Sequence, residues 1–509
     1  MPRRRAIPSI LTMTHRAPYP PFALPRRQLG LSVSDVAPSG GAVGHLVFTG
    51  EEPPTASGLD AARVAALGFA PEPGKTLVLP GAESVVVLVG AGDRANADAA
   101  VLRDAASHFA RAVPGQVDLA LVLPETAVPD ADAAAAAVEG AALARYVHRL
   151  GADGPDAMLA SLTLVADPVR NDALSAGLAR GEVLVRATKL TRDLSGLPGG
   201  ILTATRLGEV ATEVGSAAGL EVEVFDEQAL VELGCGGLLG VNLGSTEPPV
   251  MVKLVYRPEG EPAGRLALVG KGIMYDAGGL ALKPGDEVHA TMKNDMTGAA
   301  AILGAMTTLR DLGCTCQVTG YLMCTDNMPG GSALRMGDII VMRGGKTVEV
   351  INTDAEGRLV MADAIVLATE EPVDAIVDIA TLTGACLRTF GTEIAGVMGN
   401  DAGLVDQVKA SAERVDEPVW ELPLAHRYRG EILSDMADLR NMGGPNAGSI
   451  TAALFLNEFV GGVPWAHIDI AGTAQSGSAV KWRNKGTTGF GARLLVDLAL
   501  NFRVPRGEP

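Results

Sequence analysis

Val269-Gly-Lys-Gly-Ile-Met-Tyr-Asp-Ala-Gly-Gly279 and Asn352-Thr-Asp-Ala-Glu-Gly-Arg-Leu359 carry the reading of this chain. Each follows a strand-like apolar run, Arg265 to Val269 and Thr347 to Ile351. That pattern places Lys271, Asp276, Asp354 and Glu356 near carboxyl ends of strands, where open α/β sheets form their ligand crevices. Asp295, in Lys293-Asn-Asp-Met296 ahead of the helical Thr297-Gly-Ala-Ala300, adds a carboxylate from a third segment. Asp354 or Glu356 alone would pass for a helix cap after a strand. Together with Lys271, Asp276 and Asp295 they point to a site. Four ionised carboxylates in one crevice repel and raise one another's pKa unless cations neutralise them. Two divalent ions balance four negative charges, so the expectation is a two-metal centre. An oxygen-dominated donor set suits Mn2+, Zn2+ or Mg2+. None of the seven histidines lies in either motif and no HExxH occurs, which excludes the single-zinc protease design. His289, between Lys283 and Asp295, is read as a loop histidine.

Around these motifs strands and helices alternate, the mark of a parallel α/β layer. In the second half, strand-like runs recur at Gln317 to Met323, Asp338 to Met342, Ala375 to Ile379 and Trp465 to Ile470. Helical runs stand at Ala299 to Leu312, Leu359 to Thr369 and Ile450 to Val460. The first half shows the same alternation on a smaller scale. Strands are predicted at Ser84 to Val89, Val117 to Leu123 and Leu162 to Val165, with helices from Asn96 to Val113, Asp130 to Leu150 and Asn171 to Leu194. Residues 1–40, rich in Pro, Arg and Gly without periodicity, read as an extended or mobile arm. The expected organisation is that arm, a smaller N-terminal α/β domain over 41–180, and a larger catalytic α/β domain over 181–509. The larger domain should hold a central mixed, mostly parallel sheet covered by helices.

The 509 residues, 47% hydrophobic and 20% charged, are those of a folded globular protein with a sizeable core. A net charge of −17 repels phosphate backbones and anionic membranes, which weighs against nucleic acid as a main partner. No stretch reaches the length of a transmembrane helix, so no membrane partner is expected. Met1 to Met13 carries three arginines before a short apolar run, but Pro8 interrupts it and no A-x-A pattern follows; a solvated tail is the reading. Five cysteines without a CxxC pair fit a reducing cytoplasm, and Cys314 and Cys316 are read as strand neighbours rather than a metal pair. Gly90-Ala-Gly-Asp-Arg-Ala95 satisfies the G-x-G-x-x-A form of a dinucleotide turn, but no acidic residue follows at the expected distance; a tight strand-to-helix turn is preferred.

The two opening motifs, with Asp378-Ile-Ala-Thr-Leu-Thr-Gly-Ala385, Ile450-Thr-Ala-Ala-Leu-Phe-Leu456 and Trp465-Ala-His-Ile-Asp-Ile-Ala-Gly472, resemble the cytosol (leucyl) aminopeptidase family. The resemblance covers roughly residues 185 to 500, and the octapeptide at 352–359 is the family's signature. It implies a dinuclear metallo-aminopeptidase that removes N-terminal Leu and other mainly apolar residues from peptides with a free N-terminus. It also implies a homo-hexamer. By resemblance, Asp276 and Glu356 bridge the two metals, Asp354 completes one site, and Lys271 and Asp295 complete the other. A lysine ligates only as a neutral amine, so Lys271 should not be a salt-bridge lysine. A metal-bridging hydroxide would attack the scissile carbonyl, and Lys283 would stabilise the oxyanion. Arg358, with Gly357 and Leu359, would hold a bicarbonate ion that acts as general base. Met292, Asn352, Thr381, Leu382 and Gly384, with part of 447–456, match the side-chain pocket.

This chain also departs from the family pattern. The interval from Lys283 to Asp295 is one residue longer than usual and contains Asp286 and Glu287. Met274, Tyr275 and Ala277 replace smaller or hydroxylated residues around the bridging Asp, and Gly199-Gly200 and Thr203-Ala204 replace the usual Asn and Pro. Two other classes stay beside the aminopeptidase reading: a noncatalytic family member with a scaffolding or DNA-binding role, and a nucleotide-binding protein resting on Gly90 to Ala95.

Overall fold

The computed structural model describes residues 29–81, 83–147, 150 and 158–505. The first six strands are β1 (Gly30–Ser34), β2 (Ala42–Phe48), β3 (Thr76–Pro80), β4 (Val85–Gly92), β5 (Asp118–Val122) and β6 (Ser161–Val165). They form one sheet in the order β1-β6-β5-β2-β4-β3, parallel throughout except for β3. The buried centre of β4 is the β-branched run that predicts a strand there. Helices Ala99–Ala112 and Asp130–Ala144 pack on this sheet through Leu102, Phe109, Val138 and Leu143.

Strand β1 corrects the reading of 1–40 as an arm. Leu31 and Val33 turn toward the core while Gly30 and Ser32 face out, and the whole strand pairs in parallel with β6. The alternation was present in the sequence but short enough to pass for coil. Residues 1–28, including Met1 to Met13, lie outside the described residues.

The second half contributes β7 (Glu221–Phe225), β8 (Val250–Tyr256), β9 (Arg265–Asp276), β10 (Gln317–Asn327), β11 (Ile339–Val341), β12 (Thr347–Glu349), β13 (Ala375–Ala380), β14 (Ala395–Gly399), β15 (Val419–Glu421), β16 (Leu439–Arg440) and β17 (Trp465–Asp469). Eight of them make a mixed sheet ordered β15-β14-β17-β13-β9-β10-β8-β7. Its centre, β17-β13-β9-β10, is wholly parallel, and β14 and β8 join it antiparallel on either side. Strands β11, β12 and β16 form a small separate sheet.

Two hydrophobic layers cover the large sheet. One holds helix Thr297–Met306 and helix Ala492–Asn501; the other holds helices Gly357–Thr369 and Gly448–Asn457. Helix Thr297–Met306 approaches β9 and β13 closely because two glycines meet there. A Cβ on Gly270 would lie 2.8 Å from Ala299 Cα, and one on Gly298 would lie 2.1 Å from Ile379 O. That approach sets the start of the helix, and with it Asp295, against Lys271. Helix Asn171–Gly196 packs on both halves, burying Leu174 and Leu178 in the first and Leu190 and Leu194 in the second.

Candidate metal centre and active site

The parallel centre of the large sheet delivers its carboxyl ends to one place. Lys271 and Asp276 lie on β9, Asn327 ends β10, Thr381 follows β13 and Asp469 ends β17. The loop after β12 brings Asp354 and Glu356 in ahead of helix Gly357–Thr369. Asp295 closes the short 3-10 turn Met292–Asn294.

Six predicted residues converge there as a lattice of ion pairs. Lys271 Nζ lies 2.8 Å from Asp295 Oδ2 and 2.8 Å from Glu356 Oε1, and donates to Thr381 O at 3.0 Å. Lys283 Nζ lies 2.7 Å from Asp276 Oδ2 and 2.5 Å from Asp354 Oδ1. Lys271, Asp276, Asp295 and Glu356 are buried, while Asp354 remains partly open to solvent. A Cβ on Gly357 would lie 2.7 Å from Lys271 Cε and 2.8 Å from its Nζ, so only glycine leaves room for that amine.

The electrostatics follow from crowding. Burial, with the Glu356 charge, raises the Asp276 carboxyl, and burial lifts Asp295 well above the carboxylate range. Asp354 is pushed up to about 6 by burial and by Asp276 and Glu356. For Glu356 burial acts upward, but Lys271 and Lys283 outweigh it and hold the group low. With no ion among the carboxylates, burial would lower the Lys271 amine, but Asp295 and Glu356 outweigh it and hold it above the ordinary lysine range. Lys283 is raised in the same way, Asp276 and Glu356 outweighing burial. Oxygens of Asp276, Asp354 and Glu356 lie within 4.8 Å of one another, a spacing that suits a shared cation.

Asn327, which sequence reasoning missed, braces this cluster. Its Nδ2 donates to Asp276 Oδ1 at 2.9 Å, Thr353 O at 2.9 Å and Glu356 Oε2 at 3.3 Å. The strand predicted at Gln317 to Met323 stops short of it, whereas β10 runs on to Asn327 beside β9, which carries Asp276. Thr381 Oγ1 donates to Asp295 Oδ1 at 2.7 Å. Asp469 accepts from the Leu382 and Thr383 amides, both at 3.3 Å, and from Thr383 Oγ1 at 2.6 Å. Thr383 Oγ1 also lies 2.8 Å from Ser449 Oγ, tying the 381–384 loop to helix Gly448–Asn457.

The pocket residues sit around this cluster by segment. Asn352 accepts the Asp354 amide at 2.8 Å through Oδ1, and its Nδ2 lies 3.2 Å from Met442 Sδ. Leu382 is half-buried and Gly384, exposed, starts helix Gly384–Phe390. Met292 is half-buried at the head of the turn that ends in Asp295. Gly357, Arg358 and Leu359 form the first turn of their helix. The Leu359 side chain is in the core and its amide is already bonded to Glu356 O at 2.9 Å. Arg358 is different: its Nε and Nη1 are buried and have no hydrogen-bond partner among the described residues. Burial lowers its pKa to about 10. A buried guanidinium with unused donors is suited to a small anion.

The departures from the family pattern have local explanations. Asp286 caps a single turn of helix, Glu287–Ala290, by accepting the His289 amide at 3.0 Å, and this turn takes up the longer interval before Asp295. His289 packs its ring against Tyr275, with centroids 5.8 Å apart. Gly199 and Tyr275 are neighbours: a Cβ at 199 would stand 3.0 Å from Tyr275 Cβ. The two departures therefore form one packing unit. Gly90 and Gly92 end β4, and a Cβ on Gly90 would lie 2.1 Å from Glu72 O. Gly90 thus serves a close approach of the chain to itself, and the next α-helix starts only at Ala99, behind its own cap Asp98. That late start does not match a dinucleotide turn, whose glycines lead directly into the helix. Cys314 and Cys316 are buried thiols bonded to backbone carbonyls, and no cysteine is paired among the described residues.

Comparison with known proteins fits this arrangement. The catalytic-domain model of the cytosol aminopeptidase family matches residues 189–496, and the family's N-terminal domain model matches 56–149. The chain belongs to the cytosol aminopeptidase family. It is 44% identical over 465 residues to a probable cytosol aminopeptidase of Streptomyces griseus, covering 86% of this chain and 89% of that protein. A probable cytosol aminopeptidase of Chlorobaculum tepidum is 47% identical over 342 residues, 66% of this chain and 67% of that protein. Among solved structures, the bottromycin maturation enzyme BotP in complex with Mn superposes with a TM-score of 0.82 at 38% identity, over 90% of this chain and 98% of that one. As a member of the cytosol aminopeptidase family, the protein is a metal-dependent aminopeptidase acting on peptides. No helix among its described residues is long and apolar enough to cross a membrane.

Proposed function

We propose that this chain is a dinuclear aminopeptidase of the leucyl type, releasing Leu and other mainly apolar residues from free peptide N-termini. The observation that carries the reading is the pairing of two lysines with four carboxylates, contributed by separate segments, at the carboxyl ends of parallel strands. Asp276 and Glu356 would bridge two ions, with Asp354 completing one site and Lys271 and Asp295 the other; Mn2+ and Zn2+ fit the donor set, and Mg2+ is the third candidate. Bound there, divalent ions supply an activated water and a polarised carbonyl. Lys271 would take part there as a neutral amine.

The chain's own residues do the rest. Lys283 Nζ, held between Asp276 and Asp354, is placed to donate to negative charge as it develops on the carbonyl oxygen. Arg358 would hold bicarbonate on its two unused donors, and that anion supplies the base which a histidine supplies elsewhere. Met292, Asn352, Thr381, Leu382 and Gly384 would line the side-chain pocket. An apolar pocket separates one methylene by only about 1–3 kcal/mol, so selectivity should be broad. The likeness to BotP, a bottromycin maturation enzyme, supports counting peptides that undergo maturation among the candidate substrates.

A homo-hexamer in the cytoplasm is the proposed working form. Exposed Trp420, Met436 and Met336 offer apolar surface to further copies, and buried unpaired thiols suit a reducing compartment. The test is hydrolysis of Leu-p-nitroanilide beside its N-acetyl form. Cleavage of the free amine alone supports an aminopeptidase anchored at the N-terminus, and equal cleavage of both would overturn it.

A further inference from the structure

The Trp465-Ala-His-Ile-Asp469 strand and Asp378 are not used by the chemistry above, yet they build a buried polar unit beside it. Trp465 and His467 project to the same side of β17, and Asp378 is paired with His467 across the β13–β17 register. Trp465 Nε1 donates to Asp378 Oδ2 at 2.7 Å, and the other carboxylate oxygen meets His467 Nδ1. All three residues are fully buried. An ionised carboxylate only accepts, so Nδ1 carries the proton and the ring is fixed. His467 Nε2 is then left in the interior without a partner among the described residues. Arg358 Nε and Nη1 share that condition. They share one side of the large sheet: Trp465, on the same side of β17 as His467, packs in one hydrophobic layer with Leu359, Val360 and Met361 of the helix that carries Arg358; burial lowers the His467 pKa, Asp378 and Asp469 raise it, and Arg358 opposes them. Across β14 the neighbour is Met398, which is neutral.

We propose that His467 is a positioning residue for the anion held by Arg358, with Asp378 and Trp465 fixing its ring so that Nε2 bonds that anion from the sheet side. This rests on the proposed anion-holding role of Arg358. Arg358 offers only donors, whereas bicarbonate presents oxygens and one hydrogen. His467 Nε2 accepts that hydrogen when neutral and donates to an oxygen when protonated. One small anion thus satisfies three buried nitrogens, Arg358 Nε and Nη1 and His467 Nε2, that have no partner among the described residues.

The test measures bicarbonate binding directly, as the rise in thermal midpoint of Mn2+-loaded, desalted protein with added bicarbonate, beside the bicarbonate dependence of Leu-p-nitroanilide hydrolysis. His467→Asn keeps an amide near Nδ1 for Asp378 but has nothing at Nε2. It should bind bicarbonate about tenfold more weakly, the scale of one hydrogen bond to a charged group, with kcat restored at saturating bicarbonate. His467→Gln, whose amide lies nearer Nε2, should recover part of the affinity. Trp465→Phe, a milder change that frees Asp378, should weaken binding in the same direction and serves if the Asn variant does not fold. A folded His467→Asn protein with wild-type bicarbonate affinity would overturn the proposal alone. Wild type and Arg358→Ala both indifferent to bicarbonate would overturn the Arg358 reading and this inference with it.

Discussion

Arg493 Nη1 and Glu139 Oε2 lie 2.5 Å apart, joining the C-terminal helix of the catalytic half to a helix of the N-terminal sheet domain in a place without solvent. Arg103 donates to the same Glu139 oxygen at 2.9 Å, and Trp482 lies under the Arg493 guanidinium at 4.1 Å. Replacing Glu139 by Ala leaves two buried arginines without their shared partner. The expected cost is about 3–5 kcal/mol of stability, read as a lower denaturant midpoint.

Glu139 also sets an acid limit. Burial would raise its carboxyl, but Arg103 and Arg493 outweigh it and hold the folded pKa below the ordinary glutamate value. A depressed folded pKa means the unfolded chain binds the proton first, so this stabilisation is complete above the unfolded pKa of about 4.3 and is lost as pH falls through the folded one. Stability of the wild type measured against pH should decline in that window, and Glu139→Gln should flatten the decline. A Gln variant with the same acid slope would refute the assignment.

Asn327 holds Asp276 and Glu356 in place through one amide. Asn327→Ala should weaken metal retention about 10- to 100-fold, measured by competition with a chelating dye, while thermal stability falls far less. Unchanged metal affinity would mean that the carboxylates orient themselves.

Gly357 gives a test of the Lys271 position. Gly357→Ala drives a methyl group against an amine already pinned by Asp295, Glu356 and Thr381 O. Activity should drop by about 100-fold, the cost of misplacing a group by about an ångström. Steady-state kinetics on Leu-p-nitroanilide would show the fall in kcat with the fold intact by circular dichroism.

The cluster around Lys271 was legible because its members are packed into short runs at strand ends, where local pattern and sheet chemistry agree. Asp276, Asp354 and Glu356 needed no knowledge of distant partners. Asn327 and the Asp378–His467 pair were not read, because their meaning lies in strand order, and that order is fixed by tertiary packing. Glu139 and Arg493 are 354 residues apart, beyond any local signal. Helix Asp130–Ala144 stops six residues before the predicted end at Leu150, where Arg145 turns back to bond carbonyls of 110, 113, 114 and 116. Strand β1 was missed for the opposite reason: its alternation is local but only five residues long.

The central claim is that Lys271, Asp276, Asp295, Asp354 and Glu356 together hold two catalytic metal ions, with Lys283 acting beside them. The direct test is Leu-p-nitroanilide hydrolysis by chelated protein as Mn2+, Zn2+ or Mg2+ is returned, with bound metal counted and Glu356→Ala and Lys283→Ala run alongside. The account predicts recovery that reaches its plateau at two ions per subunit, loss of metal and activity in Glu356→Ala, and loss of about 100-fold or more in kcat with metal retained in Lys283→Ala. Full activity in chelated protein, or a Glu356→Ala variant that still binds two ions and turns over substrate, would contradict it.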